Sequence, residues 1–235
     1  MTHSTTRYTA ALWAQRQSGL TPVIPDIKCK SPAEGDLLFG RDPVDIAQQL
    51  VEAGARALSV VTESEHFDGS LELLQRIVEH ANVPVLRKDF IQQKSDLIET
   101  ADAGASAVLL IVSMLEKEQL FQLYEEALSL GLEPLVETHS EKELQIAREL
   151  ALTFVGINNR NIVELERDDG TVATTERLIS HAPPGAFIIS ESAIATPEDV
   201  RRAIEAGAHG VLVGTAILQA EDPADMFQKL SAARG

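Results

Sequence analysis

The chain has one cysteine, no long apolar run and few positive charges, and each of these shortages excludes a class of protein. Cys29 is the single cysteine among 235 residues, so an internal disulfide is impossible and a small buried side chain is the expected role. No apolar stretch approaches the roughly 20 residues that a membrane-spanning helix needs. The first residues contain no apolar segment of the signal-peptide kind, which predicts a cytoplasmic protein.

The shortage of positive charge limits the partners. With 20 lysines and arginines against 36 acidic residues, the formal net charge is −16, which argues against nucleic acid and anionic membranes as partners. A lysine at the end of a predicted strand therefore needs a more specific explanation than a surface lysine would.

A glycine-rich G-x-G-x-x-G segment is also missing after the first predicted strand, which argues against an open dinucleotide-binding sheet. Apolar runs instead alternate eight times with segments of helical periodicity, the runs beginning near residues 23, 57, 84, 107, 134, 154, 187 and 211. Eight such units predict an α/β fold, a single (β/α)8 TIM barrel, which typically needs about 250 residues. We expect the barrel over residues 23–235 and a short N-terminal extension over residues 1–22, with a helix around Trp13.

Six of the predicted strands end in residues suited to chemistry. In such a barrel the carboxyl ends of all strands meet at one face, which is where active sites lie. These ends are the segments 26–28, 87–90, 137, 158–161, 190–192 and 214–215.

Side-chain alternation predicts which of these residues face the same way. Asp26 and Lys28 share a direction along their strand, and so do Lys88 and Phe90. A structural ion pair of either lysine with Asp26 or Glu137 is an alternative explanation. Lysines, carboxylates and an asparagine on separate strands of one barrel favour an active site.

Two other features of the sequence concern the binding of phosphate and of metal ions. Ser192-Ala193 and Gly214-Thr215 follow the seventh and eighth predicted strands, where barrels commonly bind phosphate. His66 and His139 lie just beyond strand ends without a partner at metal-ligand spacing. We therefore predict no metal site and expect both histidines at the surface or in support of other site residues.

Several segments, in order, resemble the indole-3-glycerol phosphate synthase family. The sequence Asp-Ile-Lys-Cys-Lys-Ser-Pro from residue 26 is similar to the family's Glu-Ile-Lys-x-x-Ser-Pro. Leu-Arg-Lys-Asp-Phe from residue 86, Leu-Val-Glu from residue 135 and Gly-Ile-Asn-Asn-Arg-Asn from residue 156 match almost letter for letter. The likeness extends from about Val23 to Leu218.

This resemblance implies a decarboxylating, ring-closing lyase of tryptophan biosynthesis. The substrate would be a phosphorylated small molecule, 1-(2-carboxyphenylamino)-1-deoxyribulose 5-phosphate, which cyclises, loses CO2 and then water, and yields indole-3-glycerol phosphate without a cofactor. We expect a monomer or a weak homo-oligomer.

The resemblance also implies roles for single residues. Lys88 would be the general acid, Lys28 would pair with the substrate carboxylate, and Glu137 would accept a proton in the dehydration. Asn158 would position a hydroxyl group, and Asp26 completes the expected catalytic set. The expected substrate-binding residues are Ser31, Ser192, Gly214 and Thr215 at the phosphate, Ala193 near the phosphate loop, Glu191, Arg160 in support, and Phe67, Phe90, Leu110, Ile162 and Leu212 as apolar walls.

Three departures from the family pattern leave alternatives open. Asp26 replaces the family's glutamate, Ala193 replaces a glycine, and the extension that helps to cover the family's site is short. A divergent paralogue acting on another anilino-sugar phosphate would explain them. A non-catalytic barrel that binds a phosphate ligand is the second alternative.

Overall fold

The computed structural model describes residues 7–160 and 170–233 and has a closed parallel barrel at its centre. The strands are, in chain order, β1 (Val23–Ile27), β2 (Lys30–Ser31), β3 (Gly35–Asp36), β4 (Leu58–Val61), β5 (Val85–Lys88), β6 (Ala107–Ile111), β7 (Glu133–Thr138), β8 (Phe154–Asn158), β9 (Phe187–Glu191) and β10 (Gly210–Val213). Around the barrel the order is β1, β10, β9, β8, β7, β6, β5 and β4, and β4 pairs with β1 to close the ring. The predicted TIM barrel is therefore confirmed.

Helices cover the barrel strands on the outside, except the first, which precedes the barrel. They are α1 (Tyr8–Gln17), α2 (Pro43–Glu52), α3 (Leu71–Ala81), α4 (Lys94–Asp102), α5 (Lys117–Ser129), α6 (Glu141–Ala147), α7 (Ala173–Leu178), α8 (Pro197–Ala206), α9 (Thr215–Leu218) and α10 (Pro223–Ala232). Short 3-10 helices occupy Val112–Met114 and Ile179–His181. Within the described ranges, no helix is long and apolar enough to cross a bilayer.

Local sequence signals explain where the helices begin. The Ser70 hydroxyl accepts a hydrogen bond from the Leu73 N–H and caps α3. Thr196 and Asp199 form a reciprocal capping box at the start of α8, with Pro197 at the first helical position. The β2–β3 hairpin and the short helix α9 were not predicted.

Strand alternation divides the core into two parts. Leu86, Leu109, Leu135 and Phe154 lie inside the barrel with other apolar side chains. Residues of opposite parity, such as Val108, pack outward against the helices. Burying each large apolar side chain stabilises the fold by about 1.5–3 kcal/mol, so the closed barrel holds the strand ends firmly in place.

Helix α1 closes the barrel at the amino ends of the strands. Tyr8 and Leu12 are buried in the interior cluster, and the Tyr8 hydroxyl donates to the Leu58 carbonyl at 3.0 Å. The Trp13 ring packs edge-on against Phe187, with 4.9 Å between the ring centroids. The described part of the N-terminal extension therefore lies at the end opposite the strand carboxyl termini, away from the face where the site was predicted.

His209 makes this closed end sensitive to acid. Its Nδ1 accepts the Ile188 N–H at 3.0 Å, which only the neutral ring can do. Burial, followed by the charge of Arg16, lowers the pKa of His209. A group whose pKa is lowered on folding contributes stability above its unfolded pKa, and this contribution is lost as the pH falls through that value.

We therefore expect the contribution of His209 to the free energy of unfolding to decrease as the pH falls below about 6.5. His209→Asn should weaken this dependence, because the asparagine Oδ1 can still accept the Ile188 N–H but binds no proton. Denaturant unfolding at pH 7.5 and pH 5.5 measures the effect. Equal pH dependence in the two proteins would contradict it.

Candidate active site

A cavity of about 510 Å³ opens at the carboxyl ends of the barrel strands. A second cavity of about 450 Å³ adjoins it and continues over the ends of β9 and β10. Both are lined by Asp26, Lys28, Lys88, Arg160 and Ser192; the first adds Val61, Glu63, Phe67, Asp89, Phe90, Leu109, Ile111 and Asn158, and the second adds Ala193, Ile194, Leu212, Val213, Gly214 and Thr215.

A buried group of charges centres on Lys88. Its Nζ lies 3.2 Å from Oε2 of Glu137 and 3.4 Å from Oε2 of Glu191, and both carboxylates are fully buried beneath the cavity. Burial alone would lower the pKa of Lys88, but the charges of Glu137 and Glu191 outweigh it and hold this pKa above its usual value. Lys88 is therefore an ammonium ion at neutral pH, as a proton donor must be.

The two carboxyl groups differ in charge. Burial would raise the pKa of Glu137, but Lys88 and His139 outweigh it, so the pKa lies well below its usual range. Burial, followed by the charge of Glu137, raises the pKa of Glu191 to about 8. Two neighbouring carboxyl groups with such different pKa values can act as acid and base in one site.

Asp26 and Lys28 extend the polar wall of the cavity from β1. Asp26 Oδ1 accepts a hydrogen bond of 2.6 Å from the Ser59 hydroxyl on the neighbouring strand β4. The Lys28 ammonium lies 5.8 Å from the centre of the Phe67 ring, within range of a cation–π interaction. A positive charge thus lies beside an aromatic wall.

The loop after β4 presents Phe67. The Glu63 carboxylate accepts the backbone N–H groups of Glu65, His66 and Phe67, at 2.9, 2.8 and 3.2 Å. Ligand atoms of Glu63, Glu65 and His66 lie within 4.8 Å of one another. The Glu63 carboxylate already accepts hydrogen bonds from the backbone. The contacts of this cluster therefore shape the loop.

The loop after β9 contains two strained residues. Ser192 and Ala193 have φ angles of +64° and +54°, a conformation that costs a side-chain-bearing residue about 1–2 kcal/mol. The Asn159 amide holds this loop by donating to the Ser190 hydroxyl and to the carbonyls of Glu191 and Ser192, at 2.9–3.0 Å. Its Oδ1 accepts the backbone N–H and the hydroxyl of Thr175, which ties the loop to α7.

Comparison with known proteins identifies the family. The profile of indole-3-glycerol phosphate synthase matches residues 1–230. The chain belongs to the indole-3-glycerol phosphate synthase family. This is a family of decarboxylating lyases of tryptophan biosynthesis that act on a phosphorylated small molecule.

Its relatives match over nearly their whole length. The indole-3-glycerol phosphate synthase of Pyrococcus furiosus is 45% identical over 217 residues, which cover 92% of this chain and 94% of that protein. The Thermococcus kodakarensis synthase is 44% identical, covering 92% and 95%. That of Halalkalibacterium halodurans is 39% identical, covering 95% and 85%. These relatives favour the synthase over the divergent paralogue and the non-catalytic barrel.

Most of the residues predicted for a synthase site meet at this cleft. Glu137 and Glu191 lie just beneath it, in contact with Lys88. The ion pair of Lys88 and Glu137 does form, and Lys88 also lines both cavities, so the ion pair leaves the Lys88 side chain accessible from the cleft. Asn159, which had no predicted role, was missed because its partners lie 16–33 residues away in the sequence.

The structure corrects the predicted position of the wall residue Leu110 and does not bring Ser31 to the cleft. Leu110 packs outward against the helices, while Leu109 and Ile111 line the cavity. The strand β6 is apolar on both faces, so its sequence gave no indication of direction. Ser31 is buried in strand β2 and is not among the described residues that line the cleft, and Ile162 lies outside the described residues.

Gly156 makes room for Glu191. It pairs with Glu137 across β7 and β8, and a Cβ at this position would overlap the Glu191 carboxyl group. An alanine would therefore push Glu191 away from Lys88. Gly156 is thus required because the Glu191 side chain, from strand β9, approaches its backbone closely.

We expect Gly156→Ala to destabilise the protein by about 1–3 kcal/mol through overpacking. A carboxyl group displaced by about 1 Å should also reduce kcat by up to about 10²-fold. Denaturant unfolding and product formation measure the two effects. In a Glu191→Ala background the same substitution should cost much less stability, and full additivity would contradict the overlap.

Proposed function

We propose that Lys88, Glu137, Lys28, Asp26 and Asn158 convert 1-(2-carboxyphenylamino)-1-deoxyribulose 5-phosphate to indole-3-glycerol phosphate in this cleft. The observation that carries the proposal is the Lys88 ammonium group, which faces the cavity while two buried carboxyl groups contact it from beneath. A charged donor in a largely enclosed site is the arrangement that general acid catalysis needs.

Ring closure requires a proton for the ketone oxygen. The ring carbon that bears the carboxylate attacks the ketone carbon, and the carbonyl electron pair takes a proton from Lys88 Nζ. Lys28 pairs with the substrate carboxylate and holds the ring against the ketone carbon, which is an orientation effect. Apolar walls formed by Phe67, Phe90 and Ile111 receive the ring.

Decarboxylation then restores the aromatic ring. The electrons of the broken C–C bond return to the ring, and CO2 leaves without its negative charge. Because Lys28 stabilises the carboxylate rather than CO2, its role is to orient the substrate before this step.

Dehydration requires a base, and Glu137 is suited to this step. Once Lys88 has lost its proton, the Glu137 carboxylate loses the positive charge that keeps its pKa low, while its burial remains. Glu137 therefore becomes more basic at the stage when a proton must be removed. The proton comes from the carbon beside the ring nitrogen, and the electron pair of that C–H bond forms the new double bond as the C–O bond breaks. Because Glu137 lies beneath Lys88, the proton reaches it through the lysine nitrogen. Solvent replaces the proton that Lys88 gave in ring closure, and Lys88 passes a proton to the departing hydroxyl, which leaves as water. Asn158, which lines the cavity, positions this hydroxyl group.

The phosphate would bind in the second cavity. Ser192, Ala193, Gly214 and Thr215 line it at the ends of β9 and β10, where barrels commonly hold phosphate. Arg160 lines both cavities and would support the site. Ser31 is buried in strand β2, so the other four residues would hold the phosphate.

We further propose a cytoplasmic enzyme that is a monomer or a weak homo-oligomer. The net charge of −16 supports the absence of nucleic acid and anionic membranes among its partners. Residues 1–22 would be the extension, and residues 23–235 the catalytic barrel.

We expect Lys88→Met to reduce kcat by about 10²–10⁴-fold while the protein remains folded, because a thioether of similar length has no proton to donate. Lys94→Met is the matched control, because Lys94 pairs with Glu126 at the surface. Indole fluorescence measures the product and circular dichroism the fold. A folded Lys88→Met protein with near-normal kcat would overturn the assignment of the acid.

We expect Asp26→Glu to keep or raise kcat, because glutamate restores the family residue and advances the carboxylate by about one C–C bond. The same assay with the same substrate measures it. A large loss of activity would show instead that the site is fitted to the shorter side chain and its hydrogen bond to Ser59. No indole product from either protein would favour the divergent paralogue.

A further inference from the structure

His139 lies against the face of Glu137 that is turned away from Lys88. It follows Glu137 by two residues, just after strand β7 ends at Thr138. The ring Nε2 is 3.4 Å from Oε1 of Glu137, while Oε2 of Glu137 faces Lys88 at 3.2 Å. Each oxygen of the buried carboxylate thus faces its own cationic group.

Glu143 holds the other side of the His139 ring. Its Oε2 lies 3.2 Å from His139 Nδ1 and accepts the His139 backbone N–H at 2.8 Å. Its Oε1 accepts a hydrogen bond of 2.9 Å from the Ser140 hydroxyl at the start of α6. These contacts fix the ring relative to both the strand and the helix.

The result is a row of ionisable groups in the order Glu191, Lys88, Glu137, His139 and Glu143. It leads from the floor of the cleft to a region where the side chains of His139 and Glu143 are 14% and 17% exposed. Asp26 is the remaining carboxylate that acts on Lys88. The proposed reaction gives no role to His139 or Glu143.

Neighbouring groups of opposite charge in this row stabilise each other in their ionised forms. Burial would lower the pKa of His139, but Glu137 and Glu143 outweigh it and raise this pKa to about 10. Burial would raise the pKa of Glu143, but its bonds to His139 and Ser140 lower it. An imidazolium ion therefore faces Glu137 at neutral pH.

We propose that His139, held in place by Glu143, is a positioning residue for the catalytic carboxylate of Glu137. It fixes the carboxylate in line with Lys88. It also supplies a positive charge that persists after Lys88 has given its proton to the substrate, so Glu137 stays ionised until the dehydration. This inference rests on the proposed role of Glu137 as the proton acceptor.

His139→Gln removes the positive charge at residue 139 but keeps a side chain that reaches Glu137, so it tests the charge alone. The glutamine amide reaches the position of Nε2 and donates a neutral hydrogen bond, so the contact with Glu137 remains while the positive charge is lost. We expect the acidic limb of the kcat–pH profile to move up by about one pH unit or more, because Glu137 then takes up a proton more readily. KM should stay within about two-fold, since groups on other strands hold the substrate.

Two further variants complete the test. Glu143→Gln should shift the acidic limb in the same direction but less, because His139 remains and only its support is weakened. If His139→Gln does not fold, the kcat–pH profile of Glu143→Gln tests the same role. His181→Gln is the matched control, because His181 pairs with Glu141 at 3.4 Å on the exposed surface, and its profile should equal that of the wild type.

The outcomes separate this inference from the proposed function. If His139→Gln and Glu143→Gln lower kcat equally at every pH, or leave the profile unchanged, the positioning role is wrong. Glu137→Gln is measured alongside. A near-normal kcat in that variant would overturn the role of Glu137 itself, whereas an inactive Glu137→Gln beside an unshifted His139→Gln would overturn the positioning role alone.

Discussion

The structure of the site depends on one interaction, the contact of the Lys88 ammonium group with two fully buried carboxyl groups. An isolated charge at this depth would be costly, and a lysine with two ionised carboxylates would leave an excess negative charge. The site avoids both problems because the pKa of Glu191 is raised and that of Glu137 is lowered. Lysine and one carboxylate then neutralise each other, and the second carboxyl group keeps a proton near neutral pH.

The barrel makes this arrangement possible. Parallel pairing fixes Lys88, Glu137 and Glu191 at the carboxyl ends of three separate strands, and the apolar interior beneath them excludes water. Gly156 leaves the space that the Glu191 carboxyl group fills. At the other end of the cleft, the hydrogen bonds of Asn159 hold Ser192 and Ala193 in their strained backbone conformation. Ala193 adopts its positive φ with a side chain present, where the resemblance to the family implies a glycine.

The sequence predicted the fold and much of the site, because the signals involved are local. Each apolar run and each capping residue, such as Ser70 or Thr196, lies within a few positions of the element that it defines. Leu110 was misplaced because a strand buried on both faces shows no alternation. The connections of Asn159 and the contact of His139 with Glu137 depend on how the barrel closes and on side-chain direction, so periodicity does not reveal them. The position of α1 was missed for the same reason, since its partners Leu58 and Phe187 are distant in the sequence.

The location of α1 has a consequence for how the molecule can change. Its contacts with Leu58, Phe187 and His209 concern the amino ends of the strands, while Lys88 and its partners lie at the carboxyl ends. Trp13 packs on Phe187 and His209 at that end, whereas Tyr8 reaches further inside, where burial, followed by the charges of Asp26 and Glu191, raises its pKa. Stability can therefore be adjusted at Trp13 without changing a residue that lines the cleft, while a change at Tyr8 also alters the surroundings of the site carboxyl groups.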